Sequence, residues 1–223
     1  MKCSFINHFR KILYLFVFTV TFSVFSGSYE DFFSAIKKDD ATTVTTLLKR
    51  GFDANARDEK GQHGLYLALL EPSMKVAAVL MDWDKTTVES RNAADESPLM
   101  LASLKGLLPT VVKLIERGAD VNKTGWAPLH YAATKGHLDI MNVLLENHAY
   151  IDAASPNGST PLMMAALYGT PSAVKLLLEA GADPSLKNIQ GMTAIDFAQR
   201  DKRLDSAEII AAFVRSQQPK GKW

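Results

Sequence analysis

The sequence predicts an all-α repeat solenoid, and three observations carry that expectation. Four stretches share one pattern in register: "SPLMLASLKGLLPTVVKLIERGADVN" from Ser97, "APLHYAATKGHLDIMNVLLENHAYID" from Ala127, "TPLMMAALYGTPSAVKLLLEAGADPS" from Thr160, and "TAIDFAQRDKRLDSAEIIAAFV" from Thr193. The steps from Pro128 to Pro161 and from Pro161 to Ala194 are each 33 residues, a period that marks stacked supersecondary units. Between the stretches the chain is rich in Asn, Asp, Gly and Pro, as turns or hairpins must be. From Pro98 to Pro128 the step is only 30 residues, so three residues are missing before Gly125-Trp126.

The N-terminus differs from everything after it. Residues 1–28 have the layout of a signal peptide: Lys2, Arg10 and Lys11 precede the apolar run Ile12 to Phe25, and Ser26, Gly27 and Ser28 follow. That run is shorter than the ~20 residues of a membrane-spanning helix, and Thr19, Thr21 and Ser23 dilute it. Cleavage near Ser26 or Ser28 is the expectation, and a retained inner-membrane anchor is the alternative. Cleavage would leave 22 Lys and Arg against 24 Asp and Glu, and it would remove Cys3, the single cysteine. The mature fold would then need a core adequate without disulfides.

Each repeated stretch justifies two helices. Thr160 is a good N-cap, and Pro161 at the first helical position gives up only an amide without an intrahelical partner. The apolar "LMMAAL" follows until Gly169, whose equivalents are Gly136 and Gly106. Thr170 caps a second helix, in which Val174, Leu177 and Leu178 form one buried stripe. Gly118 and Gly181 stop such helices in the left-handed conformation. His148 stands in that glycine's place, at a cost of ~1–2 kcal/mol if the geometry is kept.

The pattern resembles the ankyrin repeat, through "APLHYAATKGH", "LLLEAGADP" and "IERGADVN", from about Tyr29 to Phe213. On that resemblance residues 29–215 divide into six units: 29–61, 62–96, 97–125, 126–158, 159–191 and 192–215, with 216–223 as a flexible tail. The first unit lacks the "TPLH" signature, as capping units often do, and the second has Glu71-Pro72 where Gly-His would stand. Charge on the outward helix of the last unit, at Glu208 and Arg215, suits a solvent-facing cap. The shortened step before Gly125-Trp126 is similar to one in a group of exported bacterial ankyrin-repeat proteins. The resemblance therefore implies a periplasmic, non-enzymatic protein that holds a partner protein on its concave face.

In that register the inner-helix positions are Leu104, Lys105, Thr134, Lys135, Leu167 and Tyr168, and the hairpin positions include Arg57, Glu59, Arg91, Lys123, Trp126, Asn157, Lys187 and Ile189. Partner binding is expected at Leu104, Lys105, Trp126, Lys135, Leu167, Tyr168, Lys187 and Ile189, with Tyr168 as anchor, because aromatic anchors dominate protein interfaces. The structural alternative is that Leu104 and Leu167 pack across units while Trp126 covers the shortened hairpin.

Other chemistry finds little support. Three of five histidines, His130, His137 and His148, lie in one stretch. An inter-helix turn separates His130 from His137, so they form no i, i+4 metal pair. The resemblance implies a structural role for both. Common nucleophile, P-loop, zinc-protease and dinucleotide patterns are missing. "DANARD" from Asp53 lacks the glycine and glutamate of a calcium loop. Asn122-Lys123-Thr124 and Asn157-Gly158-Ser159 fit a glycosylation acceptor pattern, with meaning only in a eukaryotic source. A formal charge of +1 without a basic cluster gives no reason to expect nucleic acid. No metal and no cofactor is expected; the expected state is a monomer, touching membrane only if the signal is retained.

Overall fold

The computed structural model describes residues 27–217. Among these are twelve helices: α1 (27–37), α2 (Ala41–Lys49), α3 (Gly64–Leu70), α4 (Met74–Asp82), α5 (Pro98–Lys105), α6 (Leu108–Glu116), α7 (Pro128–Lys135), α8 (Leu138–Glu146), α9 (Pro161–Tyr168), α10 (Pro171–Glu179), α11 (Ala194–Arg200) and α12 (Leu204–Gln217). The described extended backbone contributes one antiparallel bridge, Arg57 to His63, in place of any strand. The chain is an all-α repeat solenoid of helix pairs, as the 33-residue period predicted. The signal reading of 1–28 and the tail reading of 216–223 lie outside the described residues except at their inner ends. There residues 27 and 28 are helical, and α12 continues to Gln217.

The helices divide after Thr87 into two compact units. In the first, α2 and α3 each pack on α4 around Phe32, Ile36, Val44, Leu65, Leu69 and Leu80. In the second, the inner helices stack in the order α5, α7, α9, α11, and α8 lies against α6 and α10. Each outer helix buries a single stripe: Val111 and Leu114 on α6, Ile140, Met141 and Leu144 on α8, Val174, Leu177 and Leu178 on α10. Burying a leucine of this kind is worth ~2 kcal/mol, so the stripes hold the pairs together.

Local rules set the helix ends. Ser97 Oγ accepts from the Met100 amide (3.3 Å), Thr160 Oγ1 from Met163 (3.4 Å) and Thr170 Oγ1 from Ala173 (3.2 Å). Pro98, Pro128, Pro161 and Pro171 occupy first-turn positions where a missing N–H costs nothing. After α6 and α10 the chain turns through Gly118 (φ +84°) and Gly181 (φ +103°), and after α8 His148 adopts the same left-handed backbone at φ +65°.

Neighbouring pairs are tied by a repeated side-chain ladder. Asn55 Oδ1 accepts the Thr87 amide (2.7 Å), Glu89 Oε2 that of Asp120 (2.9 Å), Asn122 Oδ1 that of Tyr150 (2.8 Å), and Asp152 Oδ1 that of Asp183 (3.2 Å). These positions are equivalent in successive units, so one polar side chain per step satisfies an amide of the next loop. Within each compact unit these bonds tie one loop to the next.

Candidate functional site

The histidines resolve first. His130 is fully buried; its Nδ1 accepts from the Ala127 amide (3.1 Å), which leaves Nε2–H to donate to the Ser159 carbonyl (3.0 Å). At the equivalent position Met100 Sδ accepts from Ser97 N–H (3.3 Å), Met163 Sδ from Thr160 N–H (3.4 Å), and Asp196 Oδ2 from Thr193 N–H (2.7 Å). Three kinds of side chain perform one capping task at four equivalent positions, so the imidazole is a hydrogen-bonding fixture. His137 Nε2 lies 3.2 Å from the Leu104 carbonyl and bridges α8 to the preceding inner helix. Burial holds the His130 imidazole below its ordinary pKa. No group of three potential metal ligands occurs among the described residues.

The expected binding residues lie in different places. Lys105, Lys135 and Lys187 are exposed, Tyr168 is 58% exposed and Ile189 77%. Ile189 crowns a hairpin whose backbone is fixed by its own amide, bonded to the Asn157 carbonyl (3.0 Å). Leu104 and Trp126 are half-buried. Leu167 is a correction: only 5% of it is exposed, so it is packing and not surface. Its helix, α9, packs between α7 and α11, and an all-apolar side chain gains most by folding against those neighbours. Thr134, in the same register, stays half-exposed because its hydroxyl already donates to the His130 carbonyl (2.7 Å).

Leu104 and Trp126 help to form a hollow of about 230 Å³, completed by His130, Tyr131, Thr134 and Met164. The Trp126 ring meets His130 edge-on at 5.3 Å between centroids and Tyr131 at 6.4 Å. At one margin the Tyr131 hydroxyl donates to Glu96 Oε1 (3.4 Å). Burial, then the Glu96 carboxylate, pushes the phenol up to about 12. Beside it Arg91 pairs with Glu89 (2.9 Å), Asp95 (3.4 Å) and Asp120 (3.4 Å), and Lys123 pairs with Asp95. The sequence pattern missed Tyr131 and Met164, because both stand in short apolar helices that read as core. Trp126 five residues before Tyr131 was the available signal.

The family model for Ankyrin repeats (3 copies) matches residues 32–124, 84–155 and 129–218. The chain belongs to the ankyrin-repeat family. Among solved structures, an ankyrin repeat domain from Acinetobacter baumannii AYE matches with TM-score 0.71 at 25% identity, covering 82% of this chain and 97% of that one. A chain from the structure of the predatory endopeptidase Bd0816 from Bdellovibrio bacteriovorus in complex with immunity protein Bd3460 matches with TM-score 0.71 at 28% identity, covering 82% and 97%. Curated relatives include the nuclear factor NF-kappa-B p105 subunit of Gallus gallus, 29% identical over 75% of this chain and 18% of that protein. The B-cell lymphoma 3 protein homolog of Mus musculus is 30% identical over 73% of this chain and 38% of that protein. The ankyrin chain thus spans well under half the length of these curated relatives. Ankyrin repeats are in general protein–protein interaction modules, and both of these solved structures come from bacteria.

Proposed function

We propose that the protein is an exported, non-enzymatic scaffold that holds a partner protein on its concave surface, formed by the inner helices and hairpin tips. The observation that carries this reading is the hollow formed by Leu104 of α5, Trp126 of the turn before α7 and Tyr131 of α7, beside the exposed Tyr168 at the end of α9. A rigid ledge of apolar anchors flanked by Lys105, Lys135 and Lys187 is what an interface needs: buried aromatic area for affinity, charges around it for selectivity. The Bdellovibrio relative comes from a complex of an endopeptidase with an immunity protein, which supports an enzyme as partner and occlusion as the effect. The basic start, apolar run and small residues of 1–28 support export to a bacterial periplasm. Retention of that run would make the same scaffold a membrane-tethered adaptor; mass measurement of the mature N-terminus separates the two.

The test is capture of an envelope partner by the mature chain. Tyr168→Ala should abolish capture and leave thermal unfolding nearly unchanged, because the ring is 58% exposed. Leu177→Ala, at 0% exposure, should cost roughly 2–5 kcal/mol of stability and affect capture only through unfolding. Unfolding by Tyr168→Ala, or undiminished capture, would remove the reading.

A further inference from the structure

We propose that the hollow between α5, α7 and α9 receives a phenylalanine side chain from an extended segment of the partner, and that an acidic residue two positions along that segment meets Lys135. The proposal rests on the binding role above and specifies its chemistry. An enclosed apolar cavity of ~150 Å³ holds a benzene ring, so an open hollow of about 230 Å³ has room for one aromatic side chain. A helix, roughly 10–12 Å across, would not enter. The wall suits an apolar occupant because its polar groups are engaged. His130 uses both ring nitrogens, on the Ala127 amide and the Ser159 carbonyl; the Thr134 hydroxyl donates to the His130 carbonyl, and the Tyr131 hydroxyl to Glu96. Leu104, Met164 and the rings of Trp126 and Tyr131 supply apolar cover. Trp126 already meets His130 and Tyr131 edge-on, at 5.3 and 6.4 Å, and a further ring in such a cluster gains beyond the area it buries.

Charge selects the neighbour of that ring. Lys135 is exposed and lies four residues after Tyr131 on α7, so the two share one face of the helix roughly 6 Å apart. Side chains two residues apart in an extended segment also share a face, at about 7 Å, which matches that step. The C-terminal end of α7 carries roughly half a negative charge, and the full charge of Lys135 outweighs it. Lys105, which directly follows the lining residue Leu104 on α5, has the same sign. On the hairpin side both Glu96 oxygens already accept, Oε1 from the Tyr131 hydroxyl (3.4 Å) and Oε2 from Asn92 Nδ2 (2.9 Å), so that carboxylate offers no seat for a cation. An acidic neighbour is thus preferred to a neutral or basic one, by the modest factor that an exposed ion pair gives.

The experiment uses the protein purified from expressing cells and four blocked pentapeptides: Gly-Phe-Gly-Glu-Gly, its glutamine and lysine counterparts at the fourth position, and Gly-Leu-Gly-Glu-Gly. The readout is the Trp126 indole N–H resonance in an ¹⁵N-labelled sample, assigned with Trp126→Phe. The phenylalanine–glutamate peptide should shift that resonance saturably with Kd of roughly millimolar order, as expected for so few contacting atoms. Glutamine in place of glutamate should weaken binding about threefold, and lysine should weaken it further. The glutamate advantage should vanish in Lys135→Gln, and in the unaltered protein at about 1 M salt, where exposed charges are screened. The salt series needs no variant, so it decides even if Lys135→Gln fails to fold. Lack of a saturable shift with the phenylalanine–glutamate peptide overturns the proposal, as does leucine binding more tightly than phenylalanine. Lysine binding as well as glutamate, or a glutamate advantage that survives high salt, overturns it too. None of these results touches the broader binding role, which stands or falls with capture by Tyr168→Ala.

Discussion

His63 and His130 share a wiring that makes the protein sensitive to acid. Each uses Nδ1 as an acceptor for a backbone amide, Leu65 (3.2 Å) and Ala127 (3.1 Å), and each is buried. Protonation would cost both the desolvation of a cation and that hydrogen bond. The His63 pKa accordingly falls from 6.5 to about 4, chiefly through burial and then through Arg57, and His130 is lowered by burial. Because the folded value lies below the unfolded one, the unfolded chain takes up the proton first. Stability is therefore complete above pH 6.5 and declines between 6.5 and 4. At pH 5 the loss from His63 alone is about 2 kcal/mol. Urea unfolding at pH 7 and pH 5 measures it. His63→Ser, which keeps a capping oxygen, should reduce stability at pH 7 yet flatten the decline toward pH 5; an unchanged slope would show that His63 is not its source.

The loop after each outer helix gives a second expectation, with opposite signs at equivalent sites. His148 (φ +65°) and Gly118 (φ +84°) hold the same left-handed backbone, and a Cβ at Gly118 would have nothing within 4 Å. Steric clash with neighbours is thus excluded there, and only the intrinsic backbone cost remains. His148→Gly should stabilise by up to ~1 kcal/mol, and Gly118→Ala should destabilise by about 1 kcal/mol, both read from thermal unfolding. His148→Gly also keeps the carbonyl that accepts from Asn122 Nδ2 (2.7 Å), so the ladder is preserved. Caps, stop glycines and stripes such as Val174, Leu177 and Leu178 were legible in the sequence because each follows from rules acting within one helix. Exposure on the inner helices was not. Leu104, Thr134 and Leu167 share a register, yet Leu167 is buried while the other two are half-buried, since burial depends on neighbours 30 or more residues away. The same reason hid the hollow: Tyr131 and Glu96 meet across 35 residues.

Stacked pairs stand or fall by their nearest neighbours, and Gly169 is where that dependence is sharpest. Its φ is negative (−77°), so a left-handed turn is not what glycine supplies there. A Cβ would lie 2.4 Å from the Ala133 carbonyl oxygen of the preceding inner helix and 2.8 Å from that of Ala165. Backbone atoms cannot step aside as a side chain could, so α7 and α9 would have to separate. The Gly169 carbonyl also accepts from the Arg203 guanidinium, which ties the same point to the start of α12. A repeat unit cannot bury its own face alone, and its stability is the sum of intrinsic and interface terms. Gly169→Ala should therefore cost about 3 kcal/mol and, beyond that, loosen the coupling between the helices on either side. Calorimetry should show a broadened or split transition, whereas Gly118→Ala, with its open surroundings, should shift a single transition without broadening it. A sharp single transition near the wild-type midpoint for Gly169→Ala would mean that α7 and α9 do not approach this closely in solution.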